Sequence, residues 1–204
     1  RPLLVLLTAQ LRGTQNPKVL DPALAVEVFH NFTLMHDDIM DAAPLRRGQP
    51  SVHEKWNQNT AILSGDAMFV KAYQLITKID PSYLLLAMNR FNETALEVCE
   101  GQQLDMDFEQ IGDVSQADYL KMIRLKTAVL LGFSMELGGI MGGFGREDQE
   151  RLYKVGENLG LGFQLMDDLL DVYGDQQKIG KQVGGDIIAH KKTFLMSNAV
   201  DHAG

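Results

Sequence analysis

Apolar residues return at spacings of three and four along almost the whole chain, as in "LAVEVFHNFTLMHDDIM", "DYLKMIRLKTAVLLGFSMELGGIMGG" and "RLYKVGENLGLGFQLMDDLLDVYGD". That period is the signature of amphipathic helices, and the alternation expected of strands is absent, so the fold class is all-α. Asp21-Pro22 suits an N-cap and first-turn pair for a helix reaching about Asp41, where Pro44 and Gly48 break the pattern. Asp80-Pro81-Ser82 opens a second helix that continues through "NRFNETALEVCEGQQLDMDFE". Ser115, with Asp118 three residues on, predicts a capped start for the next. Gly142-Gly143 and Gly145 predict a turn before the last long helix. No low-complexity stretch or flexible linker interrupts the series. The expectation is one domain over residues 1–204, a helical bundle around a central cavity with its functional groups projecting inward from facing helices.

With 204 residues, 45% of them hydrophobic, the chain is long enough for a single substantial core. A formal charge of -8, with no Lys/Arg run longer than a dipeptide, speaks against binding nucleic acid by neutralising its phosphates. An acidic protein that takes a polyanion needs metal ions as mediators. Cys99 is the only cysteine, so neither an intrachain disulfide nor a cysteine zinc site is available, which fits a cytoplasmic location. No apolar run is long enough to span a bilayer. The 10 methionines read as adaptable core filler. The chain opens on Arg1-Pro2 without a readable targeting peptide, and it reads as the middle of a longer protein, shortened at both ends.

Two acidic motifs change the picture. "DDIMD" supplies Asp37, Asp38 and Asp41, and "DDLLD" supplies Asp167, Asp168 and Asp171. In each, the first and last aspartates stand at i and i+4, on one helix face a single turn apart. Such a pair repels itself unless something positive lies between. Mg²⁺ does this well, because it takes a few carboxylate oxygens and completes its shell with water and substrate phosphates. One such motif alone also fits a solvated acidic face; two copies on strongly apolar helices suggest acids facing an internal cavity. If the two helices face each other, six carboxylates surround one pocket. Cations follow closely: Arg46-Arg47 after the first motif, Lys126-Thr127 within "RLKTAVLLGF", Lys181 in "GKQVGGD", and Lys191 beyond. Arginine suits bidentate phosphate binding, lysine a point contact. Taken singly, each reads better as a surface charge, Lys126 excepted. Lys126, set in an apolar stripe, demands an anionic partner or a route to water.

In order along the chain, "HDDIMDAAPLRRG", "EGQQLDMDF", "LKTAVLL", "GLGFQLMDDLLDVYGD" and "GKQVGGDIIAHKKT" resemble the trans-polyprenyl diphosphate synthases, which elongate isoprenoid chains head to tail. The resemblance implies a short-chain trans-prenyltransferase that condenses isopentenyl diphosphate with an allylic diphosphate, with three Mg²⁺ ions present when substrate is bound. Asp37, Asp38 and Asp41 would hold two ions, and Asp167, Asp168 and Asp171 the third. Arg46, Lys126 and Lys181, with Lys191, would neutralise the allylic diphosphate. Arg1, His30 and Arg47 match positions that bind isopentenyl diphosphate. His30 stands where some members have glutamine, and the alternative for it is an ordinary hydrogen-bonded helix histidine. Thr127 and Gln164 would turn oxygens toward the reacting carbons, while Gln102, Asp105 and Asp186 would orient cations and metal-bound water.

Phe32, five residues before the first motif, with the smaller Thr33 at four, is readable as the floor of a product tunnel or as plain core. As a floor it implies a C15 to C20 product, leaning to C20. The resemblance also implies a homodimer. Three rival readings stand: a class I terpene cyclase, which shares the helical fold but ordinarily carries a different second metal motif; a non-catalytic regulatory subunit; and a plain bundle that binds divalent ions.

Overall fold

A computed structural model of the chain describes residues 1–13, 17–111, 114–174 and Thr193. Lys181, Asp186 and Lys191 lie outside the described residues. Helices α1 (Pro2–Gln10), α2 (Leu20–Met40), α3 (Val52–Lys55), α4 (Gln58–Ile76), α5 (Pro81–Gln110), α6 (Gln116–Ile123), α7 (Val129–Met141) and α8 (Arg146–Tyr173) carry most of these residues, and the all-α expectation holds. A π-helical turn, Arg124–Ala128, joins α6 to α7. The only strands among the described residues are β1 (Leu45–Arg46) and β2 (Gln49–Pro50), an antiparallel pair too short to produce any alternation in sequence. No helix among the described residues is long and apolar enough to cross a membrane.

Helix starts follow local chemistry. Ser115 caps α6, its side chain accepting from the Asp118 backbone N–H, as the spacing predicts. Asn57 caps α4 in the same way through Thr60 N–H. Helix α2 departs from expectation by starting at Leu20, after a 3₁₀ turn over Pro17–Val19, so Asp21 lies in the first turn rather than at the cap. The first four backbone N–H groups of a helix have no intrahelical partner, so Pro22 fits inside the first turn without loss, and Asp21 there complements the helix dipole.

The chain divides into two compact units. One comprises Arg1–Phe91 and Ser134–Leu152; its fully buried side chains include Val5, Val26, Phe29, Ile76, Phe91, Leu137 and Ile140. Within it α2 lies along α4, and an aromatic column runs through Phe29, Phe32, Phe69, Tyr73 and Phe91 with ring centroids 4.9 to 6.0 Å apart. Arg90 donates from Nε to both carboxylate oxygens of the buried Glu136, at 2.9 and 2.8 Å.

The other unit comprises Asn92–Phe133 and Tyr153–Gly204. Its core holds Val114, Tyr119, Met122 and Ile123, against which Leu104, Phe108, Leu161 and Leu165 pack. Arg124 bridges two helices, 3.0 Å from Glu157 and 3.6 Å from Glu97. Helix α5 runs directly against the π-turn at Gly101, where an added Cβ would lie 2.2 Å from the Lys126 nitrogen, so no side chain fits there.

Candidate functional site

The first acidic motif ends α2. Asp41 is its C-cap, and Ala42 follows with φ of 48°, closing the helix with Ala43 N–H on Asp38 O (2.9 Å) and Ala42 N–H on Ile39 O (3.3 Å). This left-handed closure turns the chain into the β1–β2 hairpin. Arg47 and Gly48 form its turn with φ of 53° and 74°, the paired positive values of a type I′ hairpin, in which Gly48 is at ease and Arg47 is strained. The two adjacent arginines serve different partners. Arg46 donates from Nε to Asp38 Oδ1 at 2.8 Å, contacts the same oxygen through its terminal nitrogen, and lies 3.4 Å from Asp37 Oδ2. Asp38 is buried, whereas Asp37 is half-buried and Asp41 exposed.

Arg47 belongs electrostatically with Arg1 and His30. Burial, reinforced by Arg1 and Arg47, pushes the His30 imidazole down to about 3, so it is neutral at physiological pH. Burial also lowers the Arg1 guanidinium, with Glu27 acting in the opposite sense and Arg47 adding to the fall. The Arg1 Nε is buried without a hydrogen-bond partner. Arg1 is half-buried and Arg47 exposed, with Glu27 the acid that acts on Arg1, and an anion bound beside them would relieve the desolvated Arg1 charge. Phe32 stacks on Phe69 with centroids 4.9 Å apart and meets the His36 ring edge-on at 4.8 Å. The Thr33 hydroxyl turns back to its own helix, donating to His30 O at 2.8 Å.

The second motif lies near the end of α8. Its middle member, Asp168, is 2% exposed, and its neighbours Asp167 and Asp171 are half-buried. The Tyr119 hydroxyl donates to Asp168 Oδ2, Gln164 Nε2 donates to Oδ1 at 3.1 Å, and Thr127 Oγ1 donates to Gln164 Oε1 at 3.3 Å. Burial raises the Asp168 carboxyl, the Tyr119 and Gln164 hydrogen bonds oppose this, and Asp167 and Asp171 add to the rise. Lys126, carried by the π-turn, donates to Asp105 Oδ2 at 2.6 Å. The buried Gln102 Nε2 has no hydrogen-bond partner.

Both motifs therefore share one pattern: the middle aspartate is buried against protein donors, and the flanking pair at i and i+4 is less buried. Among the described residues no three His, Cys, Asp or Glu side chains are already gathered as a metal cage. Oxygen-only donors in pairs a helical turn apart fit a hard cation that keeps water and takes phosphate oxygens. The sequence reading did not single out Tyr119, Arg90, Glu136 or Phe69. A tyrosine inside an apolar helical pattern is itself a signal, because its hydroxyl must find a partner once buried.

The polyprenyl synthetase family model matches residues 1–204. The geranylgeranyl diphosphate synthase of Methanosarcina mazei is 41% identical over 203 residues, 98% of this chain and 63% of that protein. A crystal structure of a geranylgeranyl pyrophosphate synthase aligns with a TM-score of 0.95 at 52% identity, covering 99% of this chain and 62% of that one. The geranylgeranyl pyrophosphate synthetase structure from Pyrococcus horikoshii Ot3 gives 0.92 at 38% identity, covering 100% and 63%. The fold is the helical isoprenoid synthase fold. This chain belongs to the polyprenyl synthetase family. It spans less than two thirds of the length of each of these three relatives.

Proposed function

We propose that the whole protein is a Mg²⁺-dependent short-chain trans-prenyltransferase, built as a single synthase domain, that joins isopentenyl diphosphate to an allylic diphosphate and releases a C15 to C20 prenyl diphosphate, C20 foremost. The observation that carries this reading is the repeated motif geometry, with a buried, protein-bound middle aspartate and an outer i, i+4 pair in both DDIMD and DDLLD. Several relatives are named geranylgeranyl diphosphate synthases, which supports a C20 product, while others are named geranylfarnesyl diphosphate synthases.

In this reading Asp37 with Asp41, and Asp167 with Asp171, hold the ions. Bound Mg²⁺ supplies Lewis-acid neutralisation of the diphosphate leaving group. Arg46, Lys126, Lys181 and Lys191 add fixed positive charge around that diphosphate, Arg46 exchanging part of its contact with Asp38 for phosphate oxygen. Asp105 holds Lys126 in place before substrate arrives; Gln102 and Asp186 orient cations and water. The cations Arg1 and Arg47, with neutral His30 as a hydrogen-bonding partner, hold the second diphosphate. When the allylic carbon–oxygen bond breaks, the electron pair leaves with diphosphate and the alkene of isopentenyl diphosphate attacks the carbocation. Loss of a proton, taken by the released diphosphate, completes the step. Thr127 and Gln164 turn their oxygen dipoles toward the transient cation, and the apolar helix faces keep water from trapping it as an alcohol. A homodimer is part of the reading: Leu63 and Val70 on α4 and Leu85 on α5 leave apolar surface for it.

The test is incubation of the full-length protein with Mg²⁺, isopentenyl diphosphate and dimethylallyl or farnesyl diphosphate. Chain extension, with a C20 product dominant, is expected. A cyclised hydrocarbon would instead make it a cyclase, and absence of turnover would make it a non-catalytic partner.

A further inference from the structure

Tyr119 and Asp168 are 3% and 2% exposed, in a core otherwise built from Val114, Met122 and Ile123 with Leu161 and Leu165 packed against them. Each poses a problem that the other solves. A phenol in such surroundings needs an acceptor, and a carboxylate there needs donors on both oxygens. Tyr119 takes Oδ2, and Gln164, one turn before Asp168 on α8, takes Oδ1. Thr127 on the π-turn then binds the other end of Gln164. The result is an unbroken line of side chains from α6 through α8 to the π-turn that also carries Lys126.

We propose that Tyr119 is a positioning residue for the second acidic motif: by anchoring Asp168 it fixes the rotation of α8, so that Asp167 and Asp171 meet the metal while Asp168 serves as anchor rather than ligand. The inference rests on the prenyltransferase reading. Helix geometry gives it force. Successive residues are about 100° apart, so Asp167 and Asp171 lie roughly 40° from each other and both to one side of Asp168. Pinning Asp168 to the core therefore aims the other two together along the edge of the buried face. In the first motif Asp38 is anchored by Arg46 instead, so the same rotation is set there by a charge and here by a neutral donor.

The experiment is thermal unfolding of the full-length protein during Mg²⁺ titration at fixed inorganic pyrophosphate, for the wild type, Tyr119→Phe, Asp168→Asn and the double variant. Tyr119→Phe keeps the ring in its core and is expected to raise the Mg²⁺ midpoint about tenfold, at the lower end for groups that orient metal ligands. Asp168→Asn is expected to shift the midpoint in the same direction, and the double variant no further than the larger single shift. Asp167→Asn, which removes a ligand, is expected to abolish the Mg²⁺-dependent stabilisation. A purely structural tyrosine would lower the metal-free melting temperature and leave the midpoint unmoved, which overturns the proposal. Additive shifts in the double variant overturn it as well. Should Tyr119→Phe fail to fold, Asp168→Asn decides alone: a loss as complete as that of Asp167→Asn makes Asp168 a ligand and ends the argument. A wild type unresponsive to Mg²⁺ and pyrophosphate sinks the diphosphate reading and this inference together, whereas a responsive wild type with an unmoved midpoint in the variant sinks this inference alone.

Discussion

Consecutive arginines with separate partners are the sharpest residue-level feature of the first unit. Arg46 neutralises Asp38 and approaches Asp37, while Arg47, strained at φ of 53°, joins Arg1 and His30. His30 then becomes the reporter of that cluster. Its imidazole titrates near 3 in the fold and near 6.5 in an unfolded chain, so the unfolded state takes up the proton first as pH falls. The contribution is fully present above about pH 6.5 and is lost progressively toward pH 3, at up to about 1.4 kcal/mol per pH unit. His30→Gln is expected to flatten this part of the profile, read from urea midpoints between about pH 7 and pH 4.5. Equal slopes in both proteins would show that His30 is not held neutral by its surroundings.

At the scale of elements, what the sequence reveals is what is decided locally. The cap at Ser115, the start at Pro81 and the glycine turn before α8 each depend on a few adjacent residues, and each is found where the spacing puts it. The start of α2 shifts because Pro22 is tolerated anywhere in a first turn. The π-turn at Arg124–Ala128 was not legible, since one extra residue in a helical turn leaves the apolar period almost unchanged. Nor were the partners of Phe32. Phe29 and Phe32 on α2 and Phe69 and Tyr73 on α4 each lie at helical spacing, but only packing tells which stripe meets which. That packing gives the floor reading a second residue. Phe69 stacks on Phe32 at an interplanar angle of 29°, so it limits where that ring can swing. Phe32→Ala is expected to shift the prenyl products toward longer chains, and Phe69→Ala to do so more weakly, by freeing Phe32. Chromatography of the extracted products decides it; an unchanged distribution in Phe32→Ala makes the column ordinary core.

At the scale of the molecule, the first unit is discontinuous in sequence, Ser134–Leu152 returning to Arg1–Phe91 after the other unit has intervened. Hydrophobic patterning does not announce such a return, and Glu136 within "LLGFSMELGGIMGG" gives no hint of it beyond being an acid in an apolar run. The structure supplies the reason for the acid. Glu136 is 5% exposed and receives Arg90 on both oxygens, tying the returning segment to α5. Glu136 has left water while Arg90 is only partly buried, so losing Arg90 leaves a desolvated carboxylate without its guanidinium. Arg90→Ala is therefore expected to cost about 1.5–3 kcal/mol, a sizeable share of the roughly 5–15 kcal/mol that holds a typical domain folded. Replacing both partners, Arg90→Met with Glu136→Leu, removes the charge altogether and is expected to recover most of that loss. Urea denaturation of the wild type, the single variant and the pair gives the comparison. A pair as unstable as the single variant would mean that packing around Arg90, rather than the desolvated carboxylate of Glu136, fastens the returning segment.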